Sequence, residues 1–163
     1  GRRKLQQNET YDQTLASTRA ERLAQMQHSI RTGQAVGQAA DNYVRLAGQS
    51  LEEAEQYLVA ATRMVNRMPH GACTLNMNMN PCPHNLSCFS CNDASDPCKH
   101  LVVDPTDRGQ IQEIVKIRVE ATRLVDSIPE ESPQHAHFAR VAASTARLLK
   151  QLEQNEGKSD GEA

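Results

Sequence analysis

The sequence has no tryptophan, and aromatic residues make up only 3% of its 163 positions. A core so poor in rings has to be built from Ala, Leu, Val, Ile and Met, which suits packed helices better than a sheet. Stacking of single-stranded bases has little support, since Phe89 is the only aromatic residue in the cysteine-rich stretch. An excess of one charge is also missing: 18 Lys and Arg stand against 20 Asp and Glu, giving a net charge of −2 and a pI near 6.3. Bulk electrostatic binding of nucleic acid, which usually shows as a strongly basic domain, has no support here. There is no apolar run of about 18 residues and therefore no membrane span. No charged-then-apolar leader opens the sequence, so the expectation is a chain that stays inside the cell, where thiols are kept reduced.

Cysteine is present, five times, and it is concentrated. "PCPHNLSCFSCNDASDPCKH", residues 81–100, holds four of the five, and Cys73 stands just upstream in "HGACTLNMNMN". The odd count fits reduced thiols better than a disulfide framework.

The remainder reads as helix. Residues 12–32 are rich in good helix formers, with Leu23, Met26 and Ile30 at helical spacing. Gly33 and Gly37 loosen the chain before a shorter helical piece over 35–47. Ser50 followed three positions later by Glu53 is a capping box, each side chain able to satisfy the other's free backbone donor. Behind it Leu51, Ala54, Leu58, Ala61, Val65 and Met68 recur at steps of three and four, predicting one helix that Pro69 ends. A second capped start follows, with Asp104 as the cap and Pro105 at the first helical position. Ile114, Ile117, Ala121, Leu124 and Ile128 form its stripe. Ser132 and Pro133 open a last helix marked by Phe138, Val141, Leu148 and Leu152, with Thr145 as its one polar entry. A short turn between two such helices makes an antiparallel αα-hairpin. The expected fold class is all-α: helices, an irregular zinc-stabilised cysteine loop over 71–103 and a C-terminal helical hairpin over 104–154. Residues 21–70 form a helical segment, the polar end 155–163 is expected to fray, and no strand is predicted.

The case for zinc is chemical. Cys88 and Cys91, two residues apart, form a knuckle whose thiolates can grip one ion while the intervening amides stabilise the sulfur charge. Structural zinc takes four such ligands in a tetrahedron. The stretches around the knuckle contain little that can bury itself. Ordering them costs about 1–2 kcal/mol per residue in backbone entropy. A structural zinc returns on the order of 10 kcal/mol, the one term large enough to decide. Cys73 and Cys82 best complete the set, with Cys98, His84 and His100 as alternates. An iron–sulfur cluster is disfavoured by the spacing, a redox disulfide by the absence of a βαβ pattern, and a catalytic zinc by the lack of a nearby acid or base.

One further stretch, "GRRKLQQNETYDQTLAS", places Tyr11 just ahead of the first predicted helix. The order of the parts, an opening "QNETYD" at 7–12, then helices, then the array from Cys73 to Cys91, then a helical hairpin, resembles the C-terminal portion of large tyrosine-type site-specific recombinases and integrases of bacterial mobile elements. The resemblance covers most of the chain. In that family a Gly-His pair precedes the nucleophilic tyrosine, with nine residues from the His to the Tyr. Here Gly1 and Arg2 stand at that distance from Tyr11, so Arg2 takes the place of the His. Relatives tend to keep four cysteines matching Cys73 to Cys91 while the fifth varies, which ranks Cys98 below Cys73.

The resemblance implies that Tyr11 attacks a scissile DNA phosphate and forms a phosphotyrosyl link, conserving the bond energy without a nucleotide cofactor. A phenol of pKa about 10 needs its developing charge stabilised. The family supplies this with arginines and a lysine that clamp the phosphate oxygens, and those lie upstream of the tyrosine. Residues 1–20 would be the end of the catalytic domain, Arg2 could donate but not act as acid or base near neutrality, and the chain alone should be inactive. Zinc would be the structural cofactor, and double-stranded DNA, a second copy or accessory recombination proteins the partners, in a bacterial cytoplasm. Neither a membrane nor a small-molecule substrate is implied. Arg108, Lys116, Arg118, Arg123, Arg140, Arg147 and Lys150 could touch phosphates, although interleaved acids point to a solvated face. The alternative is a non-catalytic, zinc-stabilised helical module that binds protein or DNA.

Overall fold

The computed structural model describes residues 2–75, 82, 87–91, 95–156 and 158, with only the helical backbone described for residues 2–12 and 15. Among them are five helices and a small sheet: α1 (Arg2–Arg31), α2 (Gln38–Ala47), α3 (Leu51–Ala61), β1 (Asn66–Met68), β2 (Gly71–Cys73), β3 (Leu101–Val102), α4 (Arg108–Ser127) and α5 (Pro133–Asn155). The mainly helical expectation is met. The three strands correct the expectation of none.

α1 is longer than its pattern. It runs unbroken through residue 20 and encloses Tyr11, which therefore lies inside the helix rather than ahead of it. Leu23, Met26 and Ile30 face the core, Ile30 completely. Gly33 and Gly37 break the chain at φ 76° and 147°, so the next helix starts at Gln38. α3 begins where the capping box predicts: the Ser50 side chain accepts from the Glu53 amide at 3.3 Å. It stops at Ala61, well short of Pro69. Thr62 is buried, its hydroxyl donating to the Leu58 carbonyl at 2.6 Å and accepting from Gln27 at 2.9 Å. Val65 and Met68, which continue the helical spacing in sequence, instead enter a loop and β1.

β1 and β2 form a hairpin over Pro69 and His70, with Met68 opposite Gly71 and Asn66 opposite Cys73. Proline suits such a turn, since it needs no amide there. β3 arrives from beyond the cysteine loop and lies antiparallel to β2, Cys73 opposite Leu101 and Ala72 opposite Val102. The sheet order is β1-β2-β3. Val36 adds a bridge, exchanging hydrogen bonds of 3.0 and 2.9 Å with Val103. Gly37 makes that approach possible, because a Cβ there would sit 2.3 Å from the Leu101 carbonyl oxygen.

Two hydrophobic clusters meet across this strip. One gathers Met26, Ile30, Tyr43 and Leu58 with Ala72 and Val102. The other gathers Phe89, Ile114, Leu148 and Leu152 with Val36, Leu101 and Val103. Successive residues of a strand point to opposite faces, so residues 101–103 serve both. α4 is capped by Asp107, whose side chain accepts from Gly109 at 3.1 Å. This corrects the expectation that Asp104 is the cap and Pro105 the first helical position. Asp104 instead holds a local turn, accepting from the Thr106 amide at 2.9 Å and its hydroxyl at 2.6 Å. α5 starts at Pro133 as expected. α4 and α5 pack against each other across the connection 128–132. Thr145 is tolerated in the buried stripe because its hydroxyl bonds back to the carbonyls of Val141 at 2.8 Å and Ala142 at 3.1 Å.

Candidate metal centre

Long-range pairing, rather than proximity in sequence, brings the segments that carry the cysteines side by side. Cys73 ends β2 and is buried. The β2–β3 pairing continues past it, with the Thr74 amide donating to the His100 carbonyl at 2.9 Å. Cys98 opens the turn into β3, its carbonyl accepting from the Leu101 amide at 3.0 Å. The Cys98 amide in turn donates to the Cys88 carbonyl at 2.7 Å, joining knuckle to sheet. The knuckle is a tight turn, closed by the Ser90 amide on the Ser87 carbonyl at 3.2 Å. Phe89, between its two cysteines, is buried in the second cluster and sits 5.1 Å from the His70 ring, centre to centre.

The thiols influence one another. Burial first, and then the charges of Cys98, Cys73, Cys82 and Cys91, push the Cys88 thiol up to about 12. Burial also raises Cys73, opposed by a backbone hydrogen bond from Leu75 and reinforced by Cys98 and Cys82. Cys91 is raised by burial and next by Cys98, with which its side chain shares a hydrogen bond. These directions describe neutral thiols that burial, first, and one another, second, keep protonated. A cation among them reverses the direction, because it stabilises thiolate outright. All five cysteines are free of disulfides.

Among the described residues, no group of three or more His, Cys, Asp or Glu side chains converges closely enough to hold a metal ion. The donor set suits zinc by its chemistry, as soft ligands from a knuckle and two further points of the chain, but its members stand apart. Cys98 lies more centrally than the sequence suggests, since it touches both the knuckle and the β3 turn. Cys88 also approaches the Met68 sulfur at 3.9 Å. His84 lies outside the described residues. His100 is described, and burial followed by the charge of Lys99 lowers its pKa.

The other site residues are placed only in part. Arg2 and Tyr11 belong to α1, and their side chains lie outside the described residues. Just beyond Tyr11, Gln13, Thr14, Ala16 and Ser17 are exposed. Of the basic residues on the last two helices, Arg108, Arg123 and Arg147 are engaged with Glu156 at 3.8 Å, Glu120 at 2.5 Å and Asp96 at 2.7 Å. The Arg147 pair ties α5 to the cysteine loop. Sequence reasoning passed over a different basic group, Arg19, Arg22, Arg63 and Arg67, which line one cavity. Spread over three segments, they form no run to notice. No helix among the described residues is long and apolar enough to cross a membrane. Comparison with protein-family models, curated proteins and solved structures gives no match to this chain.

Proposed function

We propose that this chain is the C-terminal part of a tyrosine-type DNA recombinase, in which a structural zinc seated among the cysteines fixes the cysteine loop against a C-terminal antiparallel helical hairpin. The zinc half is supported by one observation above the rest: the 2.7 Å bond from Cys98 to Cys88 brings the knuckle to the strand that pairs with Cys73. Cys73, Cys88, Cys91 and Cys98 are then the favoured ligands, with Cys82 the alternate, and they must close in from their present separations to bind. A bound zinc would supply a tetrahedral cross-link and neutralise thiolate charge.

The recombinase half rests on the resemblance carried by "QNETYD" and the cysteine array. Its chemistry belongs to Tyr11. The phenolic oxygen loses its proton and forms a bond to the scissile phosphorus while the bond to a deoxyribose oxygen breaks, and that oxygen leaves carrying a proton, so that no net proton is gained or lost. Arg2 stands nine residues earlier on the same unbroken helix, about 13 Å away along its axis, so it is left without a role on that phosphate. The cationic clamp would come from sequence upstream.

Two measurements test the two halves. Metal analysis of the purified chain should find one zinc per molecule, and exhaustive chelation should loosen residues 71–103. In the enzyme with its upstream domain, Tyr11→Phe should abolish covalent capture of cleaved DNA and leave DNA binding intact. A persistent adduct would move the nucleophile elsewhere. A zinc-bearing chain with no catalytic domain upstream would support the non-catalytic interaction module instead.

A further inference from the structure

Between α1, the β1 approach and the start of α4 lies an open cavity of about 460 Å³. Arg19 and Arg22, three apart on α1, share one face of that helix and reach its rim. Arg63, after the end of α3, and Arg67, in β1, line it from another part of the chain. Leu23 and Met26 also line the cavity. One of these arginines is committed: Arg67 donates to the Asp107 carboxylate at 3.1 Å. Arg19, Arg22 and Arg63 are exposed and make no ion pair among the described residues.

Two carboxylates line the same cavity, and both are already occupied. Asp104 accepts two bonds from Thr106. Asp107 caps α4 through Gly109 and accepts from Arg67 and Gln110. Of the two, only Asp107 has a cationic partner, whereas three guanidinium groups are left facing water. The lining therefore holds four arginines against two carboxylates, a local excess of positive charge in a chain whose net charge is −2. Guanidinium forks match phosphate oxygens and are less tightly hydrated than ammonium groups.

We propose that this cavity is a docking cleft for the phosphodiester backbone of duplex DNA, with Arg19, Arg22 and Arg63 as its phosphate-binding groups. The cleft, and not the last two helices, is then the chain's main point of attachment to DNA. The inference rests on the DNA-binding part of the reading above and is independent of Tyr11. A backbone is favoured over a small anion because the cleft is open and its arginines come from two separate parts of the chain, around 19–22 and around 63–67. Base identity would not be read, since groups that grip phosphate position a protein without specifying sequence.

The test is binding of a fluorescently labelled DNA duplex to the full chain over a range of salt, read by anisotropy. In the variant R19Q/R22Q/R63Q, affinity at low salt should fall at least about tenfold. The slope of log affinity against log salt should shrink by roughly 2–3, about 0.9 for each phosphate no longer neutralised. R19K/R22K/R63K should keep most of the slope, because charge is retained, and this control also reveals any loss of folding. K116Q/R118Q, on α4, should bind as the parent does. Unchanged affinity and slope in the glutamine variant would overturn the proposal. So would full displacement of the duplex by inorganic phosphate at constant ionic strength, which would make the cleft a small-anion site. If the arginine variants behave as expected while Tyr11→Phe still forms the adduct, the recombinase reading fails and the cleft stands. The opposite pair of results removes the cleft alone.

Discussion

The amide of Cys98 donates to the carbonyl of Cys88 at 2.7 Å, setting the knuckle against the turn that leads into β3. Cys88 also lies against the second hydrophobic cluster, as does Cys98, with Phe89 inserted beside them. The knuckle is therefore both the proposed ligand pair and a wall of the core.

That double role makes Cys88→Ser informative. The variant should lose tight zinc binding and show faster amide exchange through 71–73 and 98–103. Circular dichroism should retain most of the helix from α4 and α5. One tight zinc per chain in the variant would show that the ligand set is wrong.

Gly37 offers a test of the close approach between α2 and β3. At φ 147°, with a Cβ clashing at 2.3 Å against the Leu101 carbonyl, Gly37→Ala should cost about 1–3 kcal/mol. Gly48 has ordinary helical angles, and the nearest atom to an added Cβ is 3.4 Å away. Gly48→Ala should be neutral or stabilise by about 0.4–1 kcal/mol. Urea denaturation of the two variants measures the contrast.

Acid should destabilise the fold through His70. Burial holds its imidazole below the usual histidine value of 6.5, against a smaller upward pull from Glu113. Its Nε2 is buried without a hydrogen-bond partner among the described residues. The unfolded chain takes up the proton more readily. The stability that this neutral ring represents is therefore complete above pH 6.5 and lost as pH falls through the lower folded value. The denaturation midpoint should drop on going from about pH 7.5 to pH 5, and His70→Phe should flatten that drop. An equally steep profile in the variant would trace the acid sensitivity to another group.

Core and surface apolar residues should separate cleanly. Leu148 is 2% exposed in the second cluster, whereas Val119 on α4 is 64% exposed. Leu148→Ala should cost about 2–5 kcal/mol, and Val119→Ala should stay within about 0.5 kcal/mol. Thermal melts of both variants would check this. A large loss at Val119 would mean that another surface covers it.

Local chemistry was readable from the residues, and long-range pairing was not. The Ser50 cap, the Pro133 start and the buried faces of α4 and α5 follow from spacing and side-chain type, so each is visible in a window of a few residues. The strands are two or three residues long, too short for alternation to register, and β3 finds its partner across the whole cysteine loop. α3 looked longer than it is because Val65 and Met68 keep helical spacing by accident, while Thr62 and the Pro69–His70 turn redirect the chain. Asp104 and Asp107 are equally good caps on paper. Only the packing of Pro105 and the Thr106 turn separates them. At the candidate metal centre, the knuckle was apparent from two residues, but the central position of Cys98 depends on a backbone bond that no spacing rule contains. The arginine cleft is the extreme case, since it draws on three segments whose neighbours in sequence are ordinary.

The alternation of residues 101–103 bears on how the molecule can be divided. Val102 completes the N-terminal cluster, while Leu101 and Val103 complete the C-terminal one, so three consecutive residues are a party wall owned by both rooms. Cutting the polypeptide on either side of β3 leaves one half with a missing partition and raw apolar surface. Dissection into autonomous pieces should therefore yield aggregates, and heat should open both halves in a single step.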